Sequence, residues 1–118
     1  PAFAVGRAQA LMLHIARLRQ RGEIPRVPVY LNSPMAINAT DLYHRHHDEH
    51  HVTDAECRDM FELATMVRTV EESKALNMQR GPMIIISASG MATGGRVLHH
   101  IEAFGPDDRN AILLAGYQ

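Results

Sequence analysis

Strand-like and helix-like segments alternate along this chain, and no two strand-like segments follow one another without helical sequence between them. Residues 27–31, 66–70, 83–86 and 111–115 are short and rich in β-formers. Met83-Ile84-Ile85-Ile86 is apolar throughout, as expected of a strand covered on both faces. This spacing demands a mainly parallel sheet with right-handed crossovers. The expected fold class is α/β: three layers, a mainly parallel sheet with helices on both faces, doubly wound and Rossmann-like.

Helix boundaries are legible from capping chemistry. In residues 6–20, Ala8, Leu11, Met12, Ile15 and Leu18 recur at spacings of three and four, on one face. Arg17, Arg19 and Arg21 suit the negative end of the helix dipole, and Gly22 stops the helix. Ser33-Pro34 is a start signal, with Ser as N-cap and Pro at the first helical position; Met35, Ala39, Leu42 and Tyr43 form the apolar stripe that follows. Thr53 to Glu56 and Thr69 to Glu72 each match a capping box. Residues 96–104 predict the last helix, with Val97, Leu98 and Ile101 inward. Gly105-Pro106-Asp107-Asp108 then turns the chain into the final strand.

A chain of 118 residues fits one such domain, spanning 1–118. With 46% hydrophobic and 21% charged residues it is not a disordered tail. The net charge of −1, from 12 Lys+Arg and 13 Asp+Glu, excludes nucleic-acid binding by bulk positive charge, though not by a few placed donors. No apolar run approaches the roughly 20 residues that cross a bilayer, so no membrane partner is expected. One cysteine, Cys57, forms no internal disulfide, which points to a reducing, cytoplasmic location. The chain opens on Pro1-Ala2-Phe3 and closes on an apolar segment, which reads as a piece excised from a longer polypeptide.

Three places could carry chemistry. His44-Arg-His-His-Asp-Glu-His-His51 offers His46/His50 and His47/His51 at the i,i+4 spacing that chelates a metal. No second ligand set completes a tetrahedron, so a solvated helix end is expected and no metal site is assigned. Ile86-Ser-Ala-Ser-Gly-Met-Ala-Thr-Gly-Gly-Arg96 runs from a buried strand through a Ser/Gly loop into a helix. That arrangement leaves backbone N–H groups to attract an anion at the sheet's carboxyl edge. It lacks a P-loop Lys and the G-x-G-x-x-G pattern; the glycines could equally serve only to turn the chain. Asn32-Ser33-Pro34 and Gly6-Arg7 repeat the polar turn into a helix. If the three turns align, Arg7, Asn32, Ser33, Ser87, Ser89, Gly90 and Arg96 converge on one rim suited to a sugar-phosphate backbone; the alternative is capping alone. Cys57 reads as a packed thiol, His14 and His100 as half-buried structural residues, and His99 as facing water. No Ser/His/Asp set assembles, so no catalytic residue is assigned.

P-A-F-A-V-G-R-A-Q, V-Y-L-N-S-P-M-A, T-V-E-E-S-K-A-L-N, I-I-I-S-A-S-G-M-A-T-G-G-R-V-L-H-H-I and N-A-I-L-L-A-G-Y-Q, in that order, span nearly the whole chain. Together they resemble the β-CASP domain of RNA-processing nucleases of the metallo-β-lactamase superfamily. These include the cleavage and polyadenylation specificity factor endonuclease and its bacterial homologues. The resemblance implies a cap domain that closes over an RNA cleft. It implies that zinc is bound, and RNA cleaved, by the metallo-β-lactamase domain of the same polypeptide. The family's metal-ligand and catalytic motifs fall outside these residues, so neither zinc nor catalysis is expected of this piece alone. The intact parent could be a homodimer. Ser87–Met91, Ser33–Ala36 and Gly6–Gln9 would line the cap's side of the cleft. Ala10 replaces a Glu, and Asn32 an Asp, found in many relatives. The competing readings are a stand-alone nucleotide-binding module and a partner-docking module.

Overall fold

The computed structural model describes residues 1–49 and 52–116. Helix α1 (Arg7–Gln20) leads to strand β1 (Val29–Asn32), α2 (Pro34–Arg45), a short 3-10 turn (His47–Glu49) and α3 (Asp54–Leu63). Then come β2 (Ala64–Met66), α4 (Val70–Met78), β3 (Ile84–Ser87) and α5 (Arg96–Phe104). The sheet has the order β2-β1-β3, and both pairings are parallel. The chain steps from β1 to β2 in one direction, then from β2 past β1 to β3 in the other. Right-handed crossovers therefore put α2 and α3 on one face and α4 on the opposite face. α1 joins the first group and α5 packs on α4, so the fold is the expected doubly wound α/β arrangement.

Side-chain alternation along β1 divides the interior. Val29 and Leu31 point into the apolar core with Ala8, Met12, Ala36, Ile37, Met60, Ala64 and Ile86. Tyr30 and Asn32 point the other way: Tyr30 bonds Gln79, and Asn32 meets α4 and α5. α1 and α3 are cross-tied at the surface, where Arg17 bonds Glu56 at 2.9 Å and Gln20 bonds Asp59. The capping expectations hold. Ser33 Oγ accepts from Ala36 N, and Thr53 and Thr69 each form a full capping box with Glu56 and Glu72.

Several expectations change. The strand predicted over 66–70 forms earlier, at Ala64–Met66, because α3 passes into extended backbone at Ala64 without a turn. The predicted strand at 111–115 has no regular structure; Ile112, Leu113 and Leu114 are 51, 72 and 57% exposed. A further strand would add beside β3, but Ala2 N already bonds Ser87 O there at 2.9 Å, so the N-terminal segment takes the end of that edge. α2 stops at Arg45 and His46 is its C-cap, which breaks the continuous helix that the i,i+4 histidine spacing requires. His50 and His51 lie outside the described residues. His14 is exposed rather than half-buried, and His100 is buried. No helix among the described residues is long and apolar enough to cross a membrane.

Candidate nucleic-acid interface

Parallel pairing fixes where the three polar turns lie. Asn32 sits opposite Ser87 in register, so the turns that leave β1 and β3 emerge side by side. The third turn is tied to both. Ala2 N bonds Ser87 O, and Ala8 N bonds Phe3 O at 3.0 Å as α1 begins. Gln9, fully buried, joins the starts of α1 and α2. Its Oε1 accepts from Gly6 N at 2.6 Å, while its Nε2 lies 3.1 Å from Ala4 O, 3.3 Å from Ala36 O and 3.0 Å from Thr40 Oγ1. The three turns meet at one edge of the sheet. Gln9 does the joining, a role that its neighbours in sequence do not announce.

The seven expected rim residues divide by exposure. Arg7 is exposed and lines an open depression of about 430 Å³ with Phe3, Val5, Gly6 and Ala10. Asn32, Ser33 and Ser87 are buried: Ser33 caps α2, and Ser87 Oγ donates to Asn32 O at 2.9 Å. Arg96 is half-buried and bonded inward. Its NH1 donates to Asn32 Oδ1 at 2.8 Å and Val67 O at 3.2 Å, and its NH2 donates to Arg68 O at 2.9 Å. A single planar guanidinium thus ties the ends of β1 and β2 to the start of α5. Gly90 is buried against Phe3. The Ser89 hydroxyl is buried and, among the described residues, is the one buried side-chain polar atom with no hydrogen-bond partner.

The Ser/Gly loop is internally braced. Ser89 N bonds Gly94 O, Ala92 N bonds Ser89 O, Val97 N bonds Ala88 O and Leu98 N bonds Gly95 O. The last two satisfy first-turn amides of α5, so those donors are spent within the protein instead of facing an anion. Gly95 has a positive φ of 76°, and a Cβ there would lie 2.9 Å from Ala88 O, so the loop's exit requires glycine. Ala92, at φ 53°, holds a left-handed conformation that costs a residue with a Cβ of order 1 kcal/mol. The loop's outward surface is carried by Met91 and Thr93, both exposed.

Beneath the loop lies a polar network that sequence reading missed. Asn32 Nδ2 is 2.7 Å from Ser73 Oγ and 2.5 Å from His100 Nε2, and His100 Nδ1 is 2.6 Å from Asn77 Oδ1. Burial pushes the His100 pKa below its usual 6.5, with His99 and Arg96 adding in the same direction. The signal available was an Asn at the end of an apolar strand, a position that a polar side chain takes only with partners.

Elsewhere, Cys57 is buried with its Sγ 3.9 Å from His44 Nδ1. The His44 ring stacks on Phe61 with centroids 4.5 Å apart. Burial, then Asp54, raises the Cys57 pKa, which suits a packed thiol and not a nucleophile. Among the described residues, no group of three or more His, Cys, Asp or Glu is arranged to hold a metal ion.

The Beta-Casp domain model matches residues 8–118. The chain belongs to that family. This β-CASP domain is 40% identical to Ribonuclease TTHA0252 of Thermus thermophilus, over all of the present chain and 28% of that protein. It is 34% identical to Transcription termination factor FttA of Methanosarcina mazei, covering 20% of it, and 32% identical to the RNase J-like protein of Methanocaldococcus jannaschii, covering 27%. In each case the chain spans less than a third of the relative's length.

Proposed function

We propose that this chain is the cap domain of a metal-dependent ribonuclease. It lines an RNA cleft, while a metallo-β-lactamase domain of the same polypeptide hydrolyses the phosphodiester. What carries this reading is the convergence of three polar turns on one sheet edge, in a family whose relatives include a named ribonuclease. A cap needs to hold a strand in register and exclude water, tasks of positioning. Arg7 and the apolar Phe3 in their depression, with Met91 and Thr93 exposed on the Ser/Gly loop, offer one phosphate donor and surfaces for ribose and base. Asn32, Ser33, Ser87, Gly90 and Arg96 act one layer below, by fixing the shape of that surface.

Zinc would be the parent's metal. The described side chains of this chain do not fit it, so no step of hydrolysis is assigned to them. The reading places the protein in the cytoplasm, where the free thiol of Cys57 persists. It also leaves the parent free to dimerise.

The test is twofold. The chain alone, freed of contaminating ribonucleases, cleaves no RNA with or without zinc, and binds single-stranded RNA weakly with affinity that falls as salt rises. In the parent enzyme, Arg7→Ala lowers turnover with metal content unchanged. Robust cleavage by the chain alone, or an Arg7→Ala parent of normal turnover and RNA affinity, overturns the reading.

A further inference from the structure

Asn32 holds both ends of the Ser/Gly loop. Its main-chain oxygen accepts from Ser87 Oγ at the loop's entry, and its side-chain Oδ1 accepts from Arg96 at the exit. A guanidinium only donates, so the amide oxygen must face Arg96 and the amide nitrogen must face Ser73 and His100. An amide nitrogen accepts nothing. The facing His100 Nε2, at 2.5 Å, must therefore present a lone pair, and the ring proton must sit on Nδ1, which donates to Asn77 Oδ1 at 2.6 Å. Every polar atom in this chain of contacts is satisfied in one protonation state only.

We propose that His100, neutral and protonated on Nδ1, is the positioning residue for the Ser87–Arg96 loop: its bare Nε2 holds the Asn32 amide in the orientation that receives Arg96. Adding a proton to Nε2 sets two N–H donors against each other. The amide then swings away or flips, and a flip turns its nitrogen toward the Arg96 donors; either way the loop's exit loses its anchor. The charged and titratable groups acting on His100 are Arg96 and His99, both on its own helix. Its hydrogen-bond partners from β1 and α4 are the neutral Asn32 and Asn77, and the neutral Ser73 shares Asn32 Nδ2 with it. No carboxylate in this set favours the imidazolium, so lowering the pH through the depressed pKa of His100 unlatches the loop and neutral pH closes it.

The functional consequence rests on the reading of the loop as part of an RNA-facing edge; the structural device and its test do not. Imidazole nitrogen chemical shifts of the protein, followed through a pH titration, report the His100 tautomer and its midpoint. The expected result is the Nδ1–H form at neutral pH. As His100 gains its proton, the Arg96 side-chain resonances and the Ser89, Val97 and Leu98 amides shift with the same midpoint. Protection of those amides, corrected for the intrinsic pH dependence of exchange, falls on the order of tenfold. His99→Gln keeps the transition and His100→Gln abolishes it. An Nε2–H tautomer at neutral pH overturns the proposal, as do loop amides that ignore the titration of His100. No RNA is present in this experiment, so its failure leaves the RNA reading standing, and failure of RNA binding leaves the latch standing.

Discussion

Gly90 and Phe3 are in such close contact that a Cβ on Gly90 would lie 2.8 Å from the Phe3 ring and 2.8 Å from the Phe3 backbone nitrogen. Main chain sits on that side, so a shift of the ring alone would not make room. The Ser/Gly loop is thereby pressed against the segment that leads into α1, and two of the three polar turns share a wall. Gly90→Ala should cost about 1–3 kcal/mol, the usual range for overpacking, seen as a lower urea midpoint at unchanged slope. Wild-type stability in that variant would show that the segment before α1 yields, and that the turns are not rigidly joined.

Thr69 opens α4 by accepting from Glu72 N at 3.1 Å, and Glu72 returns bonds to Thr69 N at 3.0 Å and Arg68 N at 2.8 Å. The carbonyl of Arg68 is one of the three acceptors of Arg96. Loss of the cap should therefore be felt at the loop as well as in the helix. Thr69→Ala should cost ~1 kcal/mol of stability and Thr69→Ser much less. Thr53→Ala should cost a similar amount at α3 while leaving the Arg96 resonances in place, since that cap lies on the opposite layer.

Those caps were readable because capping is local: a Thr and a Glu three residues apart state their own role. So were the β1 and β3 strands and the parallel α/β class, which follow from spacing and from the handedness of crossovers; the strand order β2-β1-β3 was not. The segment at 111–115 has strand composition, yet composition cannot report that Ala2 already occupies a hydrogen bond at the edge where a fourth strand would begin. The rim was legible as a place but not as a surface. Asn32 and His100 are 68 residues apart, and nothing in either neighbourhood says that one buries its amide against the other. Arg96 and Ser87 looked like outward donors, since a short sequence window shows the donors and hides the acceptors that claim them.

Ser89 inverts the usual expectation for a buried hydroxyl. Its oxygen is sealed from solvent with no partner, so removing it deletes an unsatisfied group and not a bond. Ser89→Ala should leave the stability of the chain unchanged or raise it by up to about 1 kcal/mol. If the loop faces RNA as proposed, the same change in the parent protein should lower ribonuclease turnover with metal content unchanged. A clear loss of stability would instead assign Ser89 a bonded structural role.

Two losses of stability should set in at different points as pH is lowered, the first just below 6.5 and the second below 4.5. His100 is held below 6.5 in the folded chain, so between 6.5 and that lowered value the unfolded chain binds more protons than the folded one. The contribution of the neutral imidazole is thus complete above 6.5 and is lost as pH falls through the folded-state pKa. The carboxylates act later. Glu56 is lowered from 4.5 mainly by the Thr53 backbone N–H and then by Arg17, and Glu72 by the backbone N–H groups of Thr69 and Arg68, so their contributions disappear only below 4.5. Asp107, pulled from 3.8 to about 2 by Arg109, keeps its charge longest. Urea midpoints measured across this range should decline first in mild acid and again in the carboxylate range. His100→Gln should remove the first decline and leave the second. A His100→Gln protein that still loses stability between 6.5 and 4.5 as the wild type does would place the mild-acid sensitivity on another group.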